Sequence, residues 1–254
     1  MEDGEMPRFF VPNLIIDKQE ITVSGQEARH IQRVLRLGVG DAIDLFDGTG
    51  KEYRGQITHQ GRHALTVAIL ETTMPDRESP LTLTMGQSLI KGDKMDVVIQ
   101  KATEMGVLEL IPFVSCRSVA HLHEGKIEQR VSRWQRIAVE SSKQCGRVTP
   151  LRVETVVGFD EILGRAPAEA RRIILWEKET KRLKPLLQDT DSDSGPSRSV
   201  FFLVGPEGGF SEEEIKRAEA AHFVPVGLGS RILRVETAGL SFVSILQYEW
   251  GDLG

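Results

Sequence analysis

The chain has few of the residues that hold small secreted or metal-bound domains together. Its 254 residues include only two cysteines, Cys116 and Cys145. This excludes a framework of several disulfides and favours a reducing compartment. The six histidines are scattered and no close cysteine pair accompanies them, so the spacing of a zinc site is missing. We therefore expect no metal site.

Long apolar runs are also missing. No stretch approaches the roughly 20 residues that a helix needs to cross a bilayer. The N-terminal sequence MEDGEMPRFF lacks the basic-then-apolar pattern of a secretory signal. We therefore expect a cytoplasmic protein without a membrane partner.

The chain as a whole has no net positive charge, but one segment of it does. With 40% hydrophobic and 27% charged residues the chain is typical of a globular protein, and its net charge is −5. Indiscriminate binding to nucleic acid is therefore disfavoured. Residues 117–152, however, carry eight basic and three acidic side chains. This stretch is either the footprint of a phosphate-bearing partner or a solvated helix face.

The pattern of apolar residues changes once along the chain. Residues 8–72 contain short strand-like runs, a hairpin signal at Asp47-Gly48 and one helical stretch at 27–37, which favours a small β-barrel. The polar segment 73–80 is a predicted linker. Beyond it strands and helices alternate, which predicts an α/β fold with a parallel sheet. We place the domains at 1–72 and 80–254, with a mobile loop at 188–199.

A glycine-rich loop gives the strongest local signal. The apolar run VFFLV leads into Gly205-Pro206-Glu207-Gly208-Gly209. A helix follows, predicted from a capping box of Ser211 with Glu214. Ligands bind at such strand ends in α/β proteins, although a tight turn without a ligand would also fit. The phosphate-loop patterns of dinucleotide and nucleoside triphosphate sites are missing, and Glu207 places a negative charge where a phosphate would sit.

A second charged segment follows about twenty residues later. In GLGSRILRVETAGL, a strand end is followed by Arg231, Arg234 and Glu236, and a helix begins near Thr237. Two arginines beside a glutamate can clamp a phosphate or form a surface ion pair.

Both segments resemble the paired C-terminal motifs of the RsmE-type 16S rRNA (uracil-N3) methyltransferases, of the SPOUT superfamily. RFF at Arg8, HIQRVLRLGVGD at His30–Asp41, LFDGTG at Leu45–Gly50, QKATEMGV at Gln100–Val107 and RWQRIAVESSKQCGR at Arg133–Arg147 match the same family in order. The resemblance therefore covers nearly the whole chain.

The resemblance implies a PUA-like barrel followed by a SPOUT domain with a trefoil knot whose loops bind S-adenosylmethionine. It implies a homodimer, no metal, and a substrate in the decoding region of 16S rRNA within the small (30S) ribosomal subunit. The cofactor-binding residues it implies are Leu175, Leu203, Val204, Gly205, Glu207, Gly208, Gly209, Leu228, Gly229, Ile232, Leu233, Arg234, Thr237 and Ala238. The RNA-binding residues are Arg8, His30, Arg33, Arg36, Arg133, Arg136, Lys143 and Arg147.

The predicted chemistry is transfer of a methyl group to N3 of a uridine. N3 carries a proton, for which an exposed carboxylate is a weak base. We expect burial to raise the pKa of Glu236, so that Glu236 accepts or orients this proton. Arg234 and Arg8 would hold the RNA or stabilise negative charge on uracil, and simple RNA docking is an equal alternative for Arg8.

Two other functions remain open. One is a SPOUT methyltransferase that acts on a 2′-O or on a tRNA base. The other is an RNA-binding or ribosome-assembly factor without enzymatic activity, which the intact GPEGG and RILRVETA segments disfavour.

Overall fold

The structure is a computed structural model that describes residues 6–118, 124–181, 183–188 and 198–254. Its described residues form two compact units. The first comprises residues up to Glu78 together with Ser142–Pro150, and the second comprises Ser79–Ser141 together with Leu151–Gly254. The sequence-based boundary did not assign 142–150 to the first unit, because long-range contacts rather than hydrophobic periodicity hold that segment there. Residues 189–197 of the predicted mobile loop lie outside the described residues.

The first unit is built around an antiparallel sheet. Among the described residues its strands lie in the order Arg8–Phe10, Ala42–Phe46, Glu52–Gln60, Ala64–Thr73, Glu20–Ser24 and Ile16–Asp17, and only the first two pair in parallel. Alternate side chains such as Ile21, Val23, Leu65 and Val67 are buried in one core. The predicted helix at 27–37 is instead a short α-helix followed by a π-helical turn at His30–Val34. The elements are β1 Arg8–Phe10, β2 Ile16–Asp17, β3 Glu20–Ser24, α1 Gly25–Arg29, β4 Ala42–Phe46, β5 Glu52–Gln60 and β6 Ala64–Thr73.

The second unit is built around a parallel sheet. Its elements are β7 Thr82–Ser88, α2 Lys94–Glu104, β8 Glu109–Val114, α3 Glu124–Cys145, β9 Arg152–Val153, β10 Val157–Gly158, α4 Phe159–Gly164, β11 Arg171–Leu175, α5 Leu183–Gln188, β12 Ser199–Val204, α6 Glu212–Ala220, β13 Val224–Val226 and α7 Val235–Trp250. The strand order is β10-β8-β7-β12-β11-β13, and β9 pairs with β8. The last four residues of α3 belong to the first unit.

Both faces of the parallel sheet are buried, as its apolar strands predict. On β12, Val200 and Phe202 join one hydrophobic core, whereas Phe201 and Leu203 join the other. In the strand register Leu175 pairs with both Val204 and Val226. The strands β11, β12 and β13 therefore end side by side, and the segments that follow them begin at one edge of the sheet.

The predicted capping box at the start of α6 is confirmed. The Ser211 hydroxyl accepts a hydrogen bond from the Glu214 backbone N–H at 3.2 Å, and the Glu214 carboxylate accepts one from the Ser211 N–H at 2.9 Å. This pair fixes the end of the glycine-rich loop. The trefoil knot remains a prediction. Among the helices that the structure describes, none has the length and apolar character required to span a bilayer.

Candidate functional site

The segments after β11, β12 and β13 meet around one cavity, which we call the loop cavity. It encloses about 550 Å³ of space, including the part open to solvent. The residues that line it come from all three segments and from the start of α7. They are Leu175, Trp176, Glu177, Val204, Gly205, Pro206, Gly209, Phe210, Val226, Leu228, Gly229, Arg231, Leu233, Val235 and Ala238.

The lining of the loop cavity is mainly apolar and contains a few polar groups. Glu177 and Arg231 contribute opposite charges. The indole Nε1 of Trp176 is buried and has no hydrogen-bond partner among the described residues. Because a buried donor without a partner is costly, a ligand that brought an acceptor to this N–H would stabilise the site. The cavity suits a ligand that combines an apolar ring with both a positive and a negative group.

Gly209 holds the glycine-rich loop against Glu177. Its φ of +66° lies in the left-handed region, and a Cβ at this position would lie 2.5 Å from the Glu177 Oε1. Only glycine adopts this backbone conformation without strain and leaves space for the carboxylate. The backbone therefore approaches the charged wall of the cavity closely.

A second cleft adjoins the loop cavity. It is lined by Lys94, Glu177, Pro206, Glu207, Gly208, Gly209, Ile232, Leu233, Arg234 and Val235, and measures about 960 Å³ including open space. Glu177, Pro206, Gly209, Leu233 and Val235 line both spaces. The two spaces therefore share a wall, so that a group held in one can face a group held in the other.

Charged side chains converge at the second cleft. Lys94, at the start of α2, places its Nζ 3.4 Å from Glu236 Oε2 and 3.8 Å from Glu207 Oε1. The Lys91 backbone N–H donates a hydrogen bond to Glu207 Oε1 at 3.1 Å. These contacts link the start of α2 to the glycine-rich loop and to the first turn of α7. Nothing in the spacing of the sequence motifs pointed to Lys94.

The expectation for the pKa of Glu236 was wrong in sign. Its own backbone N–H lowers the pKa of Glu236 below the usual value, and Lys94 and Arg234 lower it further. Burial opposes this effect but does not outweigh it. Glu236 is therefore a carboxylate at neutral pH and a weaker base than we expected.

The predicted cofactor residues divide between the two spaces. Eight line the loop cavity: Leu175, Val204, Gly205, Gly209, Leu228, Gly229, Leu233 and Ala238. Glu207, Gly208, Ile232 and Arg234 line only the second cleft. Leu203 lies in the hydrophobic core, and the Thr237 backbone N–H donates to the Arg234 carbonyl without lining either space. The sequence reasoning missed Trp176, Glu177 and Val226, which belong to no recognised motif.

Arg8 lies in the first unit with its guanidinium fully engaged. It pairs with the buried Glu52 and donates four hydrogen bonds of 3.0–3.2 Å to the carbonyls of Ser142, Lys143, Gly146 and Arg147. Its side chain is only 7% exposed. The residue satisfies carbonyls at the C-terminus of α3 that have no helical partner. This geometry argues for a structural role and against the predicted catalytic or RNA contact.

The predicted RNA-binding residues differ in their access to solvent. Lys143 and Arg147 are buried and pair with Glu27 and Glu78 at 2.7 and 2.8 Å, so neither can reach a phosphate in this structure. His30 is half-buried and packs edge-on against Phe9. The other four predicted residues are exposed, namely Arg33, Arg36, Arg133 and Arg136.

The exposed face of α3 carries basic side chains. Lys126, Arg130, Arg133 and Arg136 are exposed and recur every three or four residues, so they share one side of the helix. Arg133 pairs with Asp96. This stripe holds four of the exposed cations of the basic stretch 117–152, and Arg117 and Arg152 are exposed outside the helix. Among the described residues, no group of three or more His, Cys, Asp or Glu side chains is arranged to hold a metal ion.

Comparison with known proteins agrees with this geometry. Residues 77–247 match the RNA methyltransferase domain family, and residues 23–70 match the RNA methyltransferase PUA domain. The ribosomal RNA small subunit methyltransferase E of Bacillus subtilis is 33% identical over 251 residues, which covers 96% of this chain and 97% of the relative. This chain belongs to the small subunit methyltransferase E family. The predicted family resemblance and the α/β fold with an N-terminal PUA-like domain are therefore confirmed.

Solved structures of high similarity support membership of the methyltransferase E family. A Neisseria gonorrhoeae member of that family bound to S-adenosyl methionine is 36% identical, with a TM-score of 0.87 over 98% of this chain and 100% of that one. A Legionella pneumophila protein in complex with the same cofactor is 30% identical, with a TM-score of 0.88 and the same coverage.

Proposed function

We propose that the protein transfers a methyl group from S-adenosylmethionine to N3 of a uridine in the decoding region of 16S rRNA, acting on the assembled small subunit. One observation carries the proposal. The segments after three neighbouring strands enclose the loop cavity, and the second cleft with its charged groups lies across a shared wall. A methyl donor in one space would face its acceptor in the other.

The loop cavity fits the parts of S-adenosylmethionine. Its apolar lining suits the adenine ring, and the unpartnered Trp176 N–H can donate to a ring nitrogen or a sugar oxygen. Arg231 can pair with the carboxylate of the methionyl group, and Glu177 can face its positive groups. When bound, the cofactor supplies an electrophilic methyl group. The protein contributes mainly orientation, which can account for a large share of the rate enhancement.

The second cleft suits the acceptor base. N3 lies on the Watson–Crick edge, so the uridine must be unpaired or extruded from its stack. The cleft is open, and Arg234 and Lys94 supply positive charge at its wall. Glu236 would accept a hydrogen bond from N3–H and orient it, rather than act as a strong base.

Each unit presents an exposed basic surface for RNA phosphates. In the first unit these are Arg33 and Arg36, and in the second the stripe on α3 that includes Arg130 and Arg136. Lysine and arginine contacts to phosphates give affinity without reading sequence. The shape of the folded subunit would then select the target. We further propose a cytoplasmic homodimer with a trefoil-knotted C-terminal region, as the family resemblance implies.

The test is methylation of small subunits from a strain in which the corresponding gene is deleted. Purified protein and S-adenosylmethionine with an isotopically labelled methyl group are added to subunits or to naked 16S rRNA, and digested nucleosides are identified by mass spectrometry. We expect labelled 3-methyluridine that maps to the decoding region and forms faster on subunits. Label in a 2′-O-methyl nucleoside or in tRNA would overturn the proposed target. No label, together with no calorimetric signal from S-adenosylmethionine, would favour a non-enzymatic factor.

A further inference from the structure

Lys94 and its two carboxylate partners, Glu207 and Glu236, do not use all their hydrogen-bonding capacity. The distances from its Nζ to Glu236 and Glu207, 3.4 and 3.8 Å, exceed the 2.7–2.9 Å typical of charge-assisted hydrogen bonds. Glu236 Oε2 is buried yet has no hydrogen-bond partner among the described residues. Lys94 lines the cleft, and the partly exposed side chain of Glu236 lies directly behind its ammonium group. A cationic donor and an anionic acceptor are therefore side by side at the wall of the cleft, and neither is fully satisfied.

This pair is complementary to one edge of uracil. Along that edge a carbonyl oxygen, which accepts hydrogen bonds, adjoins N3–H, which donates one. The ammonium can donate to the oxygen while the carboxylate accepts from N3–H. A cytosine offers an unprotonated N3 in the same place, which would face the Glu236 carboxylate without a proton between them. The arrangement therefore favours uracil over cytosine.

We propose that Lys94 is a catalytic residue that contacts an exocyclic oxygen of the target uracil and stabilises the anion formed when N3 loses its proton. This inference rests on the proposed function. The N3–H bond breaks first, and its proton passes to the Glu236 carboxylate and then to solvent. The N3 electron pair then forms the new N–C bond, while the electrons of the S–C bond return to sulfur, which becomes a neutral thioether. The negative charge on uracil is neutralised as the methyl cation equivalent is added.

The cation matters because Glu236 is a weak base. Among the described residues, the charged side chains that line the cleft with Lys94 are Glu177, Glu207 and Arg234. Glu236 lies beside its ammonium group. A carboxylate of low pKa deprotonates only a small fraction of the bound uracil unless the resulting uracil anion is stabilised. A preorganised donor at an atom where charge develops typically contributes 10²- to 10³-fold in rate.

The experiment compares Lys94→Met, Lys94→Arg and Lys101→Met with wild type in single-turnover methylation of small subunits at saturating cofactor, from pH 6 to pH 9. Lys101 lies on the same helix and forms an exposed pair with Glu104, so its variant controls for loss of one positive charge. We expect Lys94→Met to be about 100-fold slower at pH 7. Its rate should rise about tenfold per pH unit as solvent ionises N3, because ionisation of a single group gives that slope. The wild-type rate should rise less steeply, because Lys94 already stabilises the N3 anion at pH 7. Lys94→Arg should retain at least about a tenth of the wild-type rate because it keeps the charge, and Lys101→Met should be unchanged.

Calorimetry with S-adenosylhomocysteine and thermal melting separate this role from a merely structural bridge. If Lys94 acts on the base, the cofactor-product affinity and the melting temperature of Lys94→Met stay close to wild type. A slow variant with weakened affinity and a wild-type pH profile would overturn the inference, as would a variant with normal rates. Should Lys94→Met not fold, Lys94→Gln removes the charge with less change in polarity and carries the same expectations. Failure of wild type itself to form 3-methyluridine would count against the proposed function instead.

Discussion

Replacing Gly209 by alanine should weaken cofactor binding more than it weakens the fold. The substitution adds a methyl group at a φ of +66°, where a non-glycine residue costs about 1–2 kcal/mol. The new Cβ would lie 2.5 Å from Glu177 Oε1, whereas non-bonded heavy atoms prefer about 3.5 Å or more. The carboxylate must therefore move by roughly 1 Å, and this is energetically cheap because it ends a flexible side chain.

The displaced group lines both the loop cavity and the second cleft. A shift of about 1 Å in a positioning group can cost up to about 100-fold in rate. We expect Gly209→Ala to bind S-adenosylmethionine at least about tenfold more weakly, which corresponds to about 1.4 kcal/mol. The melting temperature should fall by only about 2–8 °C, the change that about 1–2 kcal/mol produces in a protein of this size.

Gly92→Ala is the matched control. Gly92 has almost the same φ, +65°, but a Cβ there would meet nothing within 4 Å. The control should lose similar stability and keep full affinity for the cofactor. Isothermal titration calorimetry and scanning calorimetry measure the two quantities. Equal cofactor affinity in the two variants would refute the claim that the approach of Gly209 to Glu177 shapes the cavity.

Three further outcomes are expected. Glu236→Gln should lower turnover about 100-fold or more and leave the S-adenosylmethionine affinity within about twofold, because the side chain orients the proton and does not line the loop cavity; near-normal turnover would remove it from the mechanism. Arg8→Met should cost about 3–5 kcal/mol of stability in urea unfolding, because it leaves Glu52 buried without its main partner; a loss below about 1 kcal/mol would contradict the structural role. Burial raises the pKa of Glu214, but hydrogen bonds from Ser211 and Cys116 lower it more. Its contribution is therefore present above the pKa of the unfolded chain and is lost as pH falls through the lower pKa of the folded state. The stability gap between wild type and Glu214→Gln should narrow between about pH 5 and pH 3, and a gap independent of pH would contradict this.

The position of the glycine-rich loop at the cavity could be predicted because strand ends, glycine-rich turns and helix caps have local sequence patterns. An apolar strand, a glycine-rich turn and a capping box at Ser211 and Glu214 define where one segment leaves the sheet. The family resemblance implied that Leu175, Gly205 and Leu228 bind one cofactor, and the common edge at which the parallel strands end brings these residues together. All three line the loop cavity.

The corrected residues have roles that depend on distant parts of the chain. Arg8 was interpreted from its match to a motif, but its partners lie 134 or more positions away at the end of α3, apart from Glu52. Lys143 and Arg147 contribute to the positive charge of 117–152, yet each is buried against a carboxylate of the first unit. Net charge along a sequence does not distinguish exposed cations from paired ones.

The same reasoning explains why Lys94 was missed and why it matters. A lysine at the start of an amphipathic helix is ordinary in sequence. Its partners Glu207 and Glu236 lie in the two C-terminal motifs, more than 100 positions away, and neither motif includes Lys94. Only the fold of the second unit brings these three charges together. Because Lys94 holds the pKa of Glu236 down, it weakens that carboxylate as a base. A cation that weakens the nearby base aids proton removal only if it stabilises the anion on the substrate more strongly. In the proposed mechanism, catalysis therefore depends on the contact between Lys94 and uracil, because this contact stabilises the anion more than it weakens the base.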